Sequence, residues 1–220
     1  MVNIEKIEID VGGKNHITNS YLVYDESKEA ILVDPADEST KIIKKINELN
    51  LNVKYIFITH AHADHFGALE KVAKHTGAYI IVHENDYEAL IGKAPSYLED
   101  LGVSKQNLEN QTIIKVYDGY KIKALNTEFE VIHTPGHTSG CICVFEATSN
   151  SLFTGDTIFC NCYGRCDLYS ANFEDMVTSL KKIFARFNDV TIYPGHDKIV
   201  NIESAKKYIR MLMTLKNRKV

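Results

Sequence analysis

The sequence predicts a mixed α/β (α+β) chain in which two β-sheets pack face to face and helices cover both outer surfaces. Three observations point there. The order strands, helix, strand, helix runs twice along the chain, and strand-rich halves with helices outside bury their apolar faces in that way. The 220 residues are 45% hydrophobic, ample for a sizeable core. No Pro/Ser/Gly-rich linker or low-complexity tract divides the chain, so residues 1–220 are expected to form a single domain.

The elements follow from periodicity. Asn3–Val11 and Tyr21–Tyr24 alternate as strands, and the polar turn Asp25–Lys28 leads to a third strand, Ala30–Val33, ended by Asp34-Pro35. Thr40–Leu49 has Ile42, Ile43, Ile46 and Leu49 at helical spacing. Lys54–Ile58 is a buried strand, His65 to about His75 a helix closed by Gly77, and Ala78–Val82 a strand. From Glu84 to Gln111 the pattern is irregular, with a short helix around Asp86–Ile91, and is expected to form a lid or pocket wall. Strands return at Ile113–Val116, Tyr120–Ala124 and Phe129–His133. Cys141–Phe145 and Leu152–Thr154 are expected as a hairpin. A helix over about Asn172–Arg186, a strand Val190–Tyr193 and a helix over about Ile202–Leu215 complete the chain.

The formal net charge is -4, with both signs interspersed, which argues against a nucleic-acid track. Lys181, Lys182 and Arg186 follow Glu174 and Asp175 and read as a solvated helix face. The opening MVNIEKIEID reads as a strand and not a secretory segment, and apolar runs such as Tyr55–Ile58 are far too short to span a bilayer. A cytoplasmic protein with a small-molecule substrate, no nucleic-acid partner and no membrane partner is the expectation. The five cysteines, an odd number, are Cys141, Cys143, Cys160, Cys162 and Cys166. Without a C-x2-C pair, free thiols are favoured over a structural metal or redox site.

The strongest chemical signal is His60-x-His62-x-Asp64-His65, directly after the apolar strand. Two residues apart in extended chain, His60 and His62 project to the same side. Asp64 and His65 fall at the next helix start, where the turning chain aims them at a second point. Burying four such groups without a partner would be costly, and imidazole with carboxylate suits zinc, iron or manganese. Three further candidates sit at strand ends beside glycine: His137 in Thr-Pro-Gly-His-Thr, Asp156 in Thr-Gly-Asp-Thr and His196 in Tyr-Pro-Gly-His-Asp. Each alone is more often an ordinary turn; together they leave little room for that reading. His16, in an early loop, His75, near a helix end, and His83 and His133 are not assigned to metal. His83 and His133 are candidates for orienting the ligands from behind.

This ordered set resembles the metallo-β-lactamase superfamily over nearly the whole chain. Asp34 in Val-Asp-Pro, the His60–His65 cluster, His137, Asp156 and His196 match its motifs in order. The resemblance implies the αββα sandwich of that fold. It also implies two divalent metal ions, zinc first, with iron or manganese as alternatives: His60, His62 and His137 on one, Asp64, His65 and His196 on the other, and Asp156 bridging. His65 directly after the aspartate is similar to the glyoxalase II and lactonase groups, and Gly155-Asp156-Thr157-Ile158-Phe159 with Gly164-Arg165 resembles a stretch common in glyoxalase II-like proteins. Asp167 stands where those proteins usually carry an aromatic that helps hold glutathione, and their helical C-terminal domain is expected to be absent.

The implied activity is hydrolysis of a thioester by a metal-bridging hydroxide, with Asp64 and Asp156 as the catalytic carboxylates. Arg165 is either a contact for a substrate carboxylate or a partner of Asp167. The rival readings are a mono-iron oxidoreductase similar to the persulfide dioxygenases, whose Thr-Pro-Gly-His-Thr…Gly-Cys run resembles Thr134–Cys141, and a lactonase. A binding module without activity would be expected to have eroded ligands, and none is eroded.

Overall fold

The computed structural model describes residues 2–216, with side chains through Met211. In the first half, β1 (Asn3–Val11), β2 (His16–Tyr24) and β3 (Glu29–Val33) are antiparallel neighbours. The chain crosses through α1 (Ser39–Glu48) to the parallel β4 (Asn52–Phe57). It then passes through α2 (Ala63–Phe66) and α3 (Leu69–Thr76) to β5 (Tyr79–His83). The short α4 (Tyr87–Leu90) and α5 (Leu98–Leu101) precede β6 (Ile113–Val116). In the second half, β7 (Lys121–Ala124), β8 (Thr127–His133), β9 (Ile142–Glu146) and β10 (Ser151–Gly155) run antiparallel. Helix α6 (Phe173–Arg186) leads to β11 (Thr191–Pro194), parallel to β10, and β12 (Val200–Asn201) and α7 (Ile202–Lys216) follow. The result is two six-stranded sheets, in orders β1-β2-β3-β4-β5-β6 and β12-β11-β10-β9-β8-β7.

Strand alternation separates the core into three layers. On β3 and β4, Ile31, Val33 and Phe57 face the opposite sheet and meet Phe129, Val131 and Phe153. Their neighbours Leu32 and Ile56 face outward, against Ile42 and Ile46 of α1 and Leu69 and Val72 of α3. Across the molecule, Ile132, Leu152 and Ile192 pack on Met176, Leu180 and Ile183 of α6 and on Ala205 and Ile209 of α7. A one-residue slip in any strand would exchange these layers. This is the helix–sheet–sheet–helix arrangement that the sequence predicts. Lys182 and Arg186 of α6 pair with Asp118 and Glu130, at 2.7 and 2.6 Å. None of the five cysteines forms a disulfide. No helix among the described residues is long and apolar enough to cross a membrane.

The short α5 and β12 have no counterpart in the expected elements, and two longer elements differ from expectation. The second strand begins at His16 and not at Tyr21, because residues 16–20 pair with Val11–Ile7 in the β1–β2 hairpin. Its polar residues Thr18, Asn19 and Ser20 are buried, which hid the strand from a hydrophobicity reading. The helix expected from His65 to His75 is two pieces, α2 and α3. At Gly67 a Cβ would collide with the backbone oxygen of Ala36, and the N–H of Ala68 donates to Pro35 O at 2.9 Å instead of extending α2.

Candidate metal centre

The chemistry-bearing side chains meet where strands of both sheets end. His60 and His62 follow β4, Asp34 follows β3, His137 follows β8, Asp156 follows β10 and His196 follows β11. Strand carboxyl ends are where open α/β sheets commonly build their sites. The seven predicted residues converge. His60 Nε2 lies 3.1 Å from His62 Nδ1, and the His137 ring centroid is 4.8 and 4.5 Å from those of His60 and His62. Asp64 Oδ2 is 3.6 Å from His65 Nε2 and 3.3 Å from His196 Nε2. The two oxygens of Asp156 reach opposite ways, Oδ1 to His65 Nε2 at 3.3 Å and Oδ2 to His137 Nε2 and His196 Nε2 at 3.4 and 3.5 Å.

Three of the imidazoles are held from behind. His65 Nδ1 meets Asp34 Oδ2 at 2.9 Å, His137 Nδ1 meets Arg165 O at 2.8 Å and His196 Nδ1 meets Ile17 O at 2.7 Å. These contacts place a proton on Nδ1 and turn Nε2 toward the cluster. Asp34 is itself fixed by Thr59, whose N–H and Oγ1 donate at 2.7 and 2.6 Å. At Gly195 a Cβ would strike Asp156 Oδ1 and His65 Cε1, so the Pro-Gly-His turn needs glycine for close approach.

The electrostatics divide the cluster. Burial, assisted by the neighbouring imidazoles His65 and His62, drives His60 well below the ordinary histidine range, and burial takes His62 to about 3. Burial opposes charge on His65 and His196 as well, but the carboxylates outweigh it, Asp156 foremost, raising them to about 10 and about 11. Among the described residues, three buried polar atoms lack a hydrogen-bond partner: His65 Nε2, His137 Nε2 and Asp156 Oδ1. All three belong to this cluster. A buried unpartnered polar atom is costly, and a divalent cation competing with the protons of His65 and His196 would take up imidazole nitrogens and carboxylate oxygens aimed at shared points. Donor atoms of His60, His62 and His137 lie within 4.8 Å of one another, as do those of His60, His65 and Asp156, and those of His16, Asp64 and His196.

The last group contains a residue expected in an early loop and not assigned to metal. His16 opens β2 and its Nε2 lies 2.8 Å from Asp64 Oδ2. Thr18, two residues on along the strand, reaches the same oxygen at 3.4 Å. The polar alternation His16-x-Thr18-x-Ser20 was the available signal. Asp86 also went unnoticed. Its carboxylate accepts from Ala61 N, Thr138 Oγ1 and Gly140 N at 2.8, 2.7 and 2.8 Å, tying the loop after β4 to the Pro-Gly-His loop after β8. His83 and His133 stack on each other, centroids 3.9 Å apart, and not against the predicted ligands.

A cavity of about 470 Å³ opens on the cluster, with Asp64, Asp156 and His196 in its floor and Tyr97, Leu101, Phe159 and Leu168 among its walls. Tyr97 and Leu101 come from the irregular 84–111 segment, which thus forms a pocket wall. Arg165 reaches this cavity, but its guanidinium is paired with Asp167 at 3.0 and 3.1 Å. A larger hollow of about 630 Å³ beside Tyr87 and Lys105 contains none of the clustered groups, so chemistry and not size singles out the site.

Comparison with known proteins identifies the family. The chain is 30% identical to the hydroxyacylglutathione hydrolase GloC of Haemophilus influenzae over 190 residues, covering 86% of this chain and 90% of that protein. It is also 30% identical to the probable polyketide biosynthesis zinc-dependent hydrolase PksB of Bacillus subtilis, over 80% of this chain and 71% of that protein. The fold matches the crystal structure of the BLEG-1 B3 metallo-beta-lactamase with a TM-score of 0.86 and 23% identity, over 96% of this chain and 99% of that one. A sequence profile of the metallo-beta-lactamase superfamily matches residues 13–196, a span that holds every clustered residue from His16 to His196. Motif order, fold and profile thus agree, and the chain belongs to the metallo-beta-lactamase superfamily.

Proposed function

We propose that this protein is a hydrolase that cleaves thioesters with two divalent cations, zinc in first place, in one domain spanning residues 1–220. His60, His62 and His137 hold one cation, Asp64, His65 and His196 the other, and Asp156 lies between. The observation that carries this reading is the convergence of seven donor side chains around three buried atoms without hydrogen-bond partners. The similarity to a hydroxyacylglutathione hydrolase and to a zinc-dependent hydrolase supports the reaction class and the metal. The core shared between the sheets, and a site drawn from both, support one domain.

Bound divalent cations supply Lewis-acid polarisation of a carbonyl and acidify water. The protein's own groups do the rest. Burial disfavours the ionised form of Asp64, yet His65, His16 and His196 hold its carboxyl well below the usual range. It therefore stays an anion in the cavity floor, able to orient water by accepting its proton in a hydrogen bond. Asp156 places negative charge between the two histidine sets, which lessens repulsion between cations. Tyr97, Leu101, Phe159 and Leu168 offer apolar surface to the substrate.

Metal analysis of protein grown with zinc, iron and manganese, coupled to assays on thioesters, lactones and glutathione persulfide, tests the reading. Two equivalents per chain with thioester hydrolysis are expected. A well-loaded protein that never exceeds one equivalent overturns the two-cation assignment. One iron with oxygen uptake would establish the oxidoreductase instead, and cleavage of lactones alone the lactonase.

A further inference from the structure

His16 stands apart from the residues that orient the cluster. Those contacts reach the far side of a ligand ring: Asp34 behind His65, Arg165 O behind His137 and Ile17 O behind His196. His16 meets the near side. Its Nε2 lies 2.8 Å from Asp64 Oδ2, the same oxygen that faces His196 Nε2 at 3.3 Å and His65 Nε2 at 3.6 Å. Its ring packs edge to face on His196 with centroids 5.2 Å apart. Zinc bonded to nitrogen and oxygen at about 2.0–2.2 Å in tetrahedral geometry sets donor atoms roughly 3.3–3.5 Å apart. The three distances from Asp64 Oδ2 bracket that spacing, so three imidazole nitrogens surround one carboxylate oxygen.

We propose that His16 is a further ligand of the second cation, contributed by the β1–β2 hairpin alongside Asp64 and His196, whose donor atoms lie within 4.8 Å of its own. The inference rests on the two-cation reading above. It assigns the hairpin a direct part in metal binding. β2 then serves the second site twice, because Ile17 O orients His196 while the preceding residue donates its own imidazole. The backbone N–H of His16 donates to Asp10 Oδ1 at 3.2 Å, which anchors the start of the strand. The His16 side chain is 43% exposed, against 21% for His196 and 8% for Asp64, so it occupies the mouth of the site. It is the member that can be replaced with the least disturbance to the core.

The test compares zinc and cobalt(II) binding by the full chain, His16→Ala and His16→Gln. Metal is counted per chain during competition with a chelator, and the visible ligand-field spectrum of cobalt is recorded. Wild type is expected to hold two equivalents. In His16→Ala the second equivalent should be lost at least about ten-fold more readily while the first is unchanged, and the spectrum of the second cobalt should shift. Glutamine keeps a hydrogen-bond donor but loses the imidazole, so His16→Gln should behave like the alanine variant. Wild-type affinity in His16→Gln would show that His16 only positions Asp64 through a hydrogen bond, and would overturn the proposal. Unchanged second-site affinity and spectrum in His16→Ala would overturn it as well. A wild type that binds only one equivalent would defeat the two-cation reading itself, a different result from a wild type that binds two and is indifferent to His16.

Discussion

Asp156 concentrates the demands of the site in one side chain. It is buried, its two oxygens face different histidines, and Oδ1 has no hydrogen-bond partner. On the proposed assignment, Asp156→Ala should lower total metal and abolish hydrolysis, because two cations would face each other with less compensating charge. His196→Ala should retain the first equivalent and some activity. Metal counts on both variants, taken after circular dichroism shows native folding, check this. An Asp156→Ala protein with two metals and full turnover would mean that the site is wrongly assigned. At this scale the sequence was legible where ligand-type residues crowd together, as in His60–His65, or sit in glycine turns, as with His137 and His196. His16 and Asp86 were not legible, because one lies 48 residues from Asp64 and the other makes its contacts to backbone N–H groups and a threonine.

Among the elements, α6 lies close to the span its sequence predicts, because Met176, Leu180 and Ile183 recur on one face and Asn172 caps it by accepting from Glu174 N and Asp175 N. Its polar face is fastened to the second sheet by Arg186, which grips Glu130 of β8 through two hydrogen bonds of 2.6 and 2.8 Å. That guanidinium holds the Glu130 carboxyl below the ordinary glutamate range. A carboxyl lowered in the folded state adds stability that is fully present above the unfolded value of about 4.3 and lost as pH falls through the folded value. The pair is partly exposed, so Glu130→Gln should cost about 0.5–1 kcal/mol at pH 7. At a low pH, below the unfolded value, the difference from wild type should be smaller than at pH 7 and should keep shrinking as pH falls through the folded value. Denaturation at both pH values measures it, and an undiminished difference at low pH would exclude this electrostatic origin. β2 and the α2–α3 break were misread for tertiary reasons. Buried Thr18, Asn19 and Ser20 disguise the strand, and Ala36 O leaves no room for a side chain at Gly67.

Taken as a whole, the molecule joins two sheets whose strand ends supply one polar floor, beneath walls of Tyr97, Leu101, Phe159 and Leu168. This contrast bears on substrate choice. The Arg165 guanidinium is already engaged by Asp167, so a substrate carboxylate would have to displace that partner. S-D-lactoylglutathione, with charged ends, should therefore be cleaved less efficiently than a thioester with apolar groups on both sides of the sulfur. The ratio of kcat/KM values for the two decides it, and a clear preference for the glutathione ester would refute the apolar reading of the walls.

By itself the sequence determined the helix–sheet–sheet–helix architecture, because burial periodicities of two and 3.6 residues are local properties that declare which face of each element is covered. It also determined the kind of chemistry, because imidazole and carboxylate crowded after an apolar strand admit few uses. Only the tertiary structure decided which atoms meet. It brought β2 against Asp64, set Asp156 between histidines from both halves, closed Arg165 onto Asp167 and turned the irregular 84–111 segment into a wall. Apart from the local Arg165–Asp167 pair, which decides between two alternatives the sequence left open, those contacts join residues far apart in the chain, and their distances depend on how two sheets pack, which no short window of residues encodes.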